Sequence, residues 1–346
     1  MDSLFIETAP PLDSAWLEYA KQARLDAPTP QVPILVRQPA YAAERRVVTA
    51  TMTAPGARDH RLIQGVDKQD ISVQSSVDSF SIPVRQYDNR SSSGEPDPVE
   101  SILLYIHGGG LVIGESDSEE LSCLRILKDS GIPNLRVYSV GYRLMPTYQA
   151  SFCVSDCTDV FNHLLTVAET CGAKKSILVV GSSSGGQLAA IVSQAASPGT
   201  VRGVVLRGPV TTDPFSGEAK EYVPEKFRQY HHSTEHPSFK NALGSGLDHE
   251  VPRDGLPRLP LDAPEYELSA LKLPRHFIQV CTNDVFYSDG VCYAKLLSDT
   301  GVDVKVDVVV GWPHTFWLKA PELPRALEAD QSMLRGLAWV AGIGEI

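Results

Sequence analysis

Apolar residues follow two different periods along this chain. Between residues 70 and 87 they alternate with polar residues, which predicts an antiparallel pair of strands. From residue 102 onward, short continuous apolar runs alternate with longer segments of helical character. Continuous apolar strands separated by helices are typical of a mainly parallel sheet with helices on both faces. The pattern therefore predicts an α/β fold built on such a sheet.

The elements of the alternating region can be bounded from the pattern. The predicted strands are Ile102–Ile106, Leu135–Val140, Ile177–Val180, Val201–Leu206, His276–Cys281 and Val304–Val310. The predicted helices are Glu119–Lys128, Ser151–Thr170, Gly186–Ala196, one near Gly290–Ser298, and Leu323–Val340. These elements and the segments around them are expected to form a single domain over residues 1–346.

Three segments depart from the alternation. Residues 12–25 predict a short amphipathic helix, but the rest of the stretch up to residue 68 contains scattered prolines and is interpreted as irregular. Residues 90–100 are rich in Ser, Gly, Pro and acidic residues, which predicts a surface loop. Residues 213–264 hold seven of the 25 prolines and show no strand pattern, which indicates an inserted cap.

Composition and charge restrict the class of partner. The chain has 346 residues, of which 42% are apolar and 21% charged, as in ordinary soluble globular proteins. Its net charge of −11 would repel a phosphate backbone, so we expect no nucleic-acid partner. There is no signal-peptide pattern and no apolar run of membrane-spanning length, so we expect no membrane span and a cytoplasmic location. In that compartment the six cysteines are interpreted as buried free thiols.

Two glycine-rich turns directly follow two of the predicted strands. Residues 181–185 (Gly-Ser-Ser-Ser-Gly) have the G-x-S-x-G pattern of a nucleophile elbow, which places the Ser183 hydroxyl at the top of the sheet. Residues 107–110 (His-Gly-Gly-Gly) offer unhindered backbone N–H groups to an oxygen that becomes negative during acyl transfer. The two turns together predict a serine hydrolase.

A serine nucleophile needs a base, and the base needs an acid that orients it. In α/β-hydrolases the chain order is Ser, acid, His, with the acid and the His on loops after late strands. His314 is the histidine that fits, whereas His276 begins a strand and is expected to point into the structure. For the acid we favour Asp284 over Asp289, which lies where a helix should already have begun; a simple helix cap is the alternative role for Asp284.

The remaining site residues follow from the two turns. The expected oxyanion donors are the backbone N–H groups of Gly109, Gly110 and Ser184. The residues expected to support the turns are His107, Gly108, Gly181 and Gly185. No metal is expected, because the histidines at 231, 232 and 236 are interpreted as part of a polar lid loop. No cofactor is expected either, since the glycines do not form a G-x-G-x-x-G pattern.

These motifs resemble the hormone-sensitive-lipase-like branch of the α/β-hydrolases, which includes many carboxylesterases. Residues 107–110 match its oxyanion motif, residues 142–146 look like its Tyr-Arg-Leu-Ala-Pro segment, residues 181–186 are similar to its elbow, and residues 314–316 match its His-x-Phe. The departures from the family pattern remove none of the candidate catalytic residues; they are Ser182, Ser184, Thr147, Val285 and Ser288. The resemblance implies that residues 1–60 and 213–264 form a cap over an acyl pocket.

The expected activity is hydrolysis of a small-molecule ester with a short or medium acyl chain, through an acyl-enzyme. A tailoring step on a metabolite, such as deacetylation, lactone opening or acyl transfer, uses the same chemistry and stays open. A ligand-binding protein or a non-hydrolytic cyclase on the same scaffold is the alternative from another class, and the presence of His314 argues against it. Both a monomer and a homodimer stay open.

Overall fold

A computed structural model describes residues 1–25, 32–90, 98–213, 220–239, 254–256 and 258–344. An eight-stranded sheet with the order β1-β2-β4-β3-β5-β6-β7-β8 forms its centre. The strands are β1 (Val66–Gln74), β2 (Ser81–Asn89), β3 (Ser101–Ile106), β4 (Leu135–Val140), β5 (Ile177–Ser182), β6 (Val201–Arg207), β7 (His276–Asn283) and β8 (Val304–Pro313). The pairs β1–β2 and β2–β4 are antiparallel, and the other five pairs are parallel. This confirms the predicted sheet and its antiparallel beginning.

Helices cover both faces of this sheet. They are α1 (Ser14–Gln22), α2 (Ile34–Met52), α3 (Glu120–Asp129), α4 (Ala150–Cys171), α5 (Ser184–Ala195), α6 (Glu225–Arg228), α7 (Glu265–Leu271), α8 (Tyr287–Asp299), α9 (Phe316–Lys319) and α10 (Pro324–Val340). In β3, Ile102 and Leu104 pack in the hydrophobic cluster that contains α4, α5 and α8, whereas Leu103 and Tyr105 pack in the cluster that contains α3 and α10. Since both faces are buried, β3 reads as a continuous apolar run.

The predicted irregular character of the leading segment is wrong. Residues 34–52 form the 19-residue helix α2, with Pro39 inside it. Its buried residues are Ala42, Arg45, Thr49 and Met52, spaced three or four apart, as expected for one face of a helix. A proline in a helix removes one backbone hydrogen bond. In α2 the packing of this face outweighs that loss.

The helix α2 lies against the loops at the carboxyl ends of three strands. Gln38 Nε2 donates to the carbonyl oxygens of Val112, after β3, and Met145, after β4, at 2.9 Å each. Arg45 Nη1 donates to the carbonyl oxygen of Leu318, after β8, at 2.6 Å. The leading segment therefore contacts the edge of the sheet where the candidate site residues lie.

The described part of residues 213–264 contains the short helix α6 and no strand, in agreement with the pattern. Ser233 Oγ donates to the carbonyl oxygen of Val285 at 2.6 Å and accepts from the Ser288 N–H at 3.1 Å. These bonds join the insertion to the segment that follows β7. Most of the loop predicted at residues 90–100 lies outside the described residues.

One smaller expectation also needs correction. Cys171, at the end of α4, is exposed, whereas the other five cysteines are buried and all six are free. The helix α8 begins at Tyr287, so Asp289 lies inside it, as expected. Within the described parts of the chain, no helix combines the length and the apolar character needed to cross a membrane.

Candidate active site

Ser183 occupies a sharp turn between β5, which ends at the preceding residue, and α5, which begins at the following one. Its backbone has φ 55° and ψ −124°, a conformation that residues with a side chain rarely adopt. The Ser183 carbonyl oxygen accepts from Gly186 N at 2.8 Å, and its N–H donates to the Arg207 carbonyl oxygen at 2.8 Å. These bonds on both sides of the turn hold the strained residue in place.

Gly181 and Gly185 permit this turn because the backbone passes very close to both. A Cβ atom on Gly185 would lie 2.1 Å from the carbonyl oxygen of Ile106 in β3. A Cβ atom on Gly181 would lie 2.2 Å from the carbonyl oxygen of Gly185. Any side chain at either position would push the elbow away from the sheet.

The structure brings Ser183, His314 and Asp284 together at the carboxyl ends of β5, β8 and β7. Nε2 of His314 lies 2.8 Å from Oγ of Ser183, and Nδ1 lies 2.6 Å from Oδ2 of Asp284. The three residues are buried, with Ser183 the most exposed at 8%. A carboxylate only accepts hydrogen bonds, so a proton on Nδ1 matches Asp284 and leaves Nε2 as an acceptor that faces the Ser183 hydroxyl.

Asp284 is not the N-cap of α8, which is Phe286, but its carboxylate closes the turn that precedes this helix. Its Oδ1 accepts from the backbone N–H of Phe286 at 2.9 Å, as a residue that begins a helical turn does. Its other oxygen faces His314. The Phe286 ring also packs beside the His314 ring, with centroids 5.3 Å apart. The turn after β7 therefore fixes both the carboxylate and the imidazole.

Asp289, the rival acid, is engaged elsewhere. It is fully buried, and its Oδ2 accepts from the backbone N–H groups of Thr211 and Thr212 at 2.7 and 3.0 Å. Its Oδ1 lies 2.8 Å from Nε2 of His231 in the insertion. Asp289 in α8 is thus hydrogen-bonded to the segment that follows β6 and to the insertion.

The other histidines that the structure describes lie outside this arrangement. His276 is buried, its Nδ1 donates to the Pro274 carbonyl oxygen at 2.8 Å, and burial lowers its pKa to about 4. His236 pairs with Ser238 at 2.8 Å. Across the described ranges, no group of three or more His, Cys, Asp or Glu could hold a metal ion.

Residues 107–111 form what we call the glycine turn. Gly109 has φ 120° and Gly110 has φ 63°, both in the region that favours glycine. The Gly109 carbonyl oxygen accepts from the N–H groups of Val112 and Ile113 at 3.1 Å each. Among the described residues, the N–H groups of Gly109 and Gly110 donate to no protein atom. Ser184 is the first residue of α5, where a backbone N–H has no acceptor within its own helix.

His107 supports the glycine turn from below. Its Nδ1 donates to the Gly108 carbonyl oxygen at 2.7 Å, and its ring stacks on Tyr142 with centroids 4.3 Å apart. The Tyr142 hydroxyl donates to the His107 carbonyl oxygen at 2.9 Å. Burial lowers the pKa of His107 to about 4, so the ring is neutral near pH 7. This environment suits a structural role better than proton transfer.

Sequence reasoning missed Glu119, Tyr105 and Gln38 at this site. The sequence pattern predicts Glu119 only as the first residue of a helix, yet its carboxyl group is buried and accepts from the Gly108 N–H at 2.8 Å. The partner lies 11 residues earlier in a different element. No local periodicity reports such a contact.

Comparison with known proteins shows the family of the chain. A family described as alpha/beta hydrolase fold matches residues 103–318. The ethyl acetate hydrolase of Pseudomonas putida is 30% identical over 69% of this chain and 72% of that protein. The versiconal hemiacetal acetate esterase stcI of Emericella nidulans is 28% identical over 78% of this chain and 92% of that protein.

Two further matches are of different kinds. The FAD-linked oxidoreductase pytB of Aspergillus terreus is 30% identical over 69% of this chain, but this match covers only 29% of that protein. Among solved structures, a Pyrobaculum calidifontis esterase superposes with a TM-score of 0.72 and 22% identity, over 96% of this chain and 99% of that one. By the family match and the relatives, this chain belongs to the α/β-hydrolases, in their hormone-sensitive-lipase-like carboxylesterase branch.

Proposed function

We propose that this chain is a serine carboxylesterase in which Ser183 is the nucleophile, His314 the general base and Asp284 the orienting acid. The observation that carries the proposal is the continuous hydrogen-bonded line from Ser183 Oγ through the imidazole to Asp284 Oδ2, at 2.8 and 2.6 Å. A serine alcohol becomes an effective nucleophile only beside such a base.

The reaction proceeds in two acyl transfers. Ser183 Oγ attacks the ester carbonyl carbon while its proton moves to Nε2 of His314. The tetrahedral intermediate then breaks its bond to the alcohol, and the alcohol oxygen takes the proton from Nε2. A water molecule next gives a proton to Nε2 and attacks the acyl-serine, which releases the acid and returns the proton to Oγ. Asp284 stabilises the imidazolium formed in each half.

The oxygen that becomes negative in this reaction needs fixed donors. We assign the backbone N–H groups of Gly109, Gly110 and Ser184 to this role, with Gly108, Gly181 and Gly185 allowing the close approach of the two turns. The N–H groups of Gly109 and Gly110 are unpaired within the described residues. Each such donor typically contributes about 10²–10³ in kcat.

The substrate we propose is a small-molecule ester with a short or medium acyl chain, of roughly C2–C8. Two relatives carry acetate esters in their names. The described part of the insertion has helices of only a few residues, so it presents no long apolar face to an oil surface. Deacetylation of a secondary metabolite is the specific form that the similarity to the versiconal hemiacetal acetate esterase favours.

The wider organisation is also part of the proposal. We infer one domain over residues 1–346, with residues 1–60 and 213–264 as a cap over the acyl pocket, no cofactor and no nucleic-acid partner. The contacts of α2 with the loops after β3, β4 and β8 support the cap assignment of the leading segment. The cytoplasmic location stays a prediction, and monomer and homodimer both stay open.

The test is Ser183→Ala with nitrophenyl butyrate as substrate. Because the triad acts as a unit, kcat should fall by about 10⁴–10⁶ while the unfolding transition is unchanged. The matched control is Ser193→Ala, which removes another buried hydroxyl, from α5. A fluorophosphonate should label Ser183 in the wild type and should label neither Ser182 nor Ser184. Activity of Ser183→Ala close to that of the control would contradict the assignment.

A further inference from the structure

A buried carboxyl group lies directly beneath the glycine turn. Glu119 is only 3% exposed and precedes α3. Its Oε1 accepts from the Gly108 N–H at 2.8 Å, and its Oε2 accepts from the Tyr105 hydroxyl at 2.5 Å. Burying a carboxyl group is unfavourable unless both oxygens are paired. The two bonds meet this requirement and connect α3 to the glycine turn.

Gly108 is one of the points at which the glycine turn contacts the nucleophile elbow. A Cβ atom on Gly108 would lie 2.8 Å from the Ser182 carbonyl oxygen and 3.1 Å from Cβ of Ser183. The next two residues carry the N–H groups to which we assign the oxyanion. Consecutive glycines lose more conformational freedom on folding than other residues, so the turn needs an external anchor at this end.

The other end of the glycine turn has its own anchors. The N–H of Leu111 donates to Oγ of Ser184 at 3.3 Å, and the Gly109 carbonyl oxygen accepts from Val112 and Ile113. At the beginning of the turn, Glu119 holds the Gly108 N–H and His107 holds the Gly108 carbonyl oxygen, while backbone and serine contacts hold the end of the turn. Loss of the first anchor would leave the direction of the Gly109 and Gly110 N–H groups poorly fixed.

The charge of Glu119 is a separate matter from its position. Burial raises the pKa of this carboxyl group, against the opposing effect of its hydrogen bonds and of the arginines at 207 and 45. The bond to Gly108 requires only an acceptor oxygen, which a neutral carboxyl or an amide also provides. The contact is therefore kept when the side chain at 119 is neutral, but it is lost when no acceptor oxygen extends to the Gly108 N–H.

From these contacts we propose that Glu119 is a positioning residue for ester hydrolysis: through the Gly108 N–H, it aims the oxyanion donors of the glycine turn. This inference rests on the proposed function. It assigns to Glu119 an effect on kcat without contact between Glu119 and the substrate. A shift of about 1 Å in a positioned group can change a rate by about 10².

Three variants at position 119 distinguish the effect of the acceptor oxygen from the effect of the charge. Glu119→Met keeps most of the volume and removes the acceptor, whereas Glu119→Gln keeps an acceptor oxygen without the charge. Glu119→Asp keeps the charge but is one methylene shorter, and it replaces the Met variant if that protein does not fold. The matched control is Glu120→Gln, since this neighbouring carboxylate pairs with Lys68 at 2.6 Å.

The first measurement is kcat and KM for nitrophenyl butyrate, beside Ser183→Ala. We expect kcat of Glu119→Met to fall about 10- to 100-fold with KM nearly constant, and Glu119→Gln to recover most of that loss. Glu119→Asp should resemble the Met variant, and the Glu120 control should resemble the wild type. Wild-type kcat in the Met or Asp variant overturns the proposal, as does a Gln variant as slow as Met.

Hydrogen exchange of the peptide that contains residues 107–111 gives a second measurement that does not depend on turnover. The amide of Gly108, whose N–H donates to Glu119, should exchange at least about tenfold faster in Glu119→Met than in the wild type or in Glu119→Gln. Unchanged exchange overturns the positioning role. If the wild type hydrolyses no ester, the proposed function fails, and faster exchange in the Met variant still supports the anchor.

Discussion

Two buried aspartates six residues or fewer from the end of β7 should respond to the same substitution in opposite ways. Asp284→Asn should remove activity and leave stability, whereas Asp289→Asn should lower stability and leave kcat. The contrast follows from their partners: Asp284 faces the imidazole of His314, whereas Asp289 accepts from two backbone N–H groups and His231.

For Asp284→Asn, the turn dictates which way the new amide points. In the wild type the Phe286 N–H donates to Oδ1 of Asp284 at 2.9 Å, and the amide oxygen of the Asn variant should keep this bond. The NH₂ group of the variant then faces Nδ1 of His314. An NH₂ group cannot accept a hydrogen bond, so Nδ1 becomes the acceptor and the imidazole proton moves to Nε2. A protonated Nε2 cannot accept the proton of Ser183. A wrong tautomer of this kind lowers kcat by about 10⁴, equivalent to about 5.5 kcal/mol in the barrier.

For Asp289→Asn, the amide oxygen keeps Thr211 and Thr212 as donors, but both bonds lose a charged acceptor. Bonds to charged groups contribute about 1.5–3 kcal/mol each, and neutral ones about 0.5–1.5. The free energy of unfolding should therefore fall by roughly 2 kcal/mol. The expected change in kcat is less than about threefold, because the Ser183–His314 contact is untouched.

The assay combines nitrophenyl butyrate kinetics with urea unfolding of the same protein samples. The two variants differ from the wild type by the same change of one oxygen to NH₂, so each is the control for the other. If Asp289→Asn proves the more damaging to kcat, Asp289 is the acid and the assignment of Asp284 is wrong. A loss of stability without loss of activity in Asp284→Asn would refute the tautomer argument as well.

Three further predictions concern the same molecule. Ser183→Ala and His314→Ala should each lower kcat by about 10⁴–10⁶, and the double variant should be little slower than either; additive losses would mean that the residues act in different steps. Burial lowers the pKa of His276 from 6.5 to about 4, so its contribution to stability is complete above pH 6.5 and is lost as the pH falls towards 4. In urea unfolding, the wild type should lose roughly 3 kcal/mol more unfolding free energy than His276→Asn as the pH falls from 6.5 towards 4. The same pH dependence in both proteins would contradict this. Across nitrophenyl esters from acetate to palmitate, turnover should peak at roughly C2–C8, and faster turnover of emulsified long-chain lipid would exclude this range.

The sheet could be predicted because its burial is simple. A strand covered on both faces needs apolar residues at every position, and the residues of β3 from Ile102 to Ile106 are all fully buried. Parallel strands also place their carboxyl ends at one edge. The loops after the parallel strands therefore lie at one edge of the sheet, and the elbow motif together with the chain order of α/β-hydrolases selected Ser183, Asp284 and His314 on three of them.

The helix α2 was missed because half of its buried face is polar. Ala42 and Met52 fit an apolar stripe, but Arg45 and Thr49 do not. Arg45 is buried since its guanidinium reaches the Leu318 carbonyl oxygen, 273 positions away in the sequence. An amphipathic sequence pattern predicts a buried helix face only when the buried side chains are apolar. For Arg45 the cause of burial is a hydrogen bond to α9.

The same reasoning explains why Glu119 escaped prediction and the glycines beside it did not. Glycine at positions 108–110 is informative by itself, because a glycine run after a strand has few structural uses. Glutamate at the start of a helix is common at the surface, where it favours the positive end of the helix dipole. What distinguishes Glu119 is the direction of its side chain, towards Tyr105 and the glycine turn. That direction depends on how α3 packs against β3, so the anchor becomes visible only once the two elements are placed together.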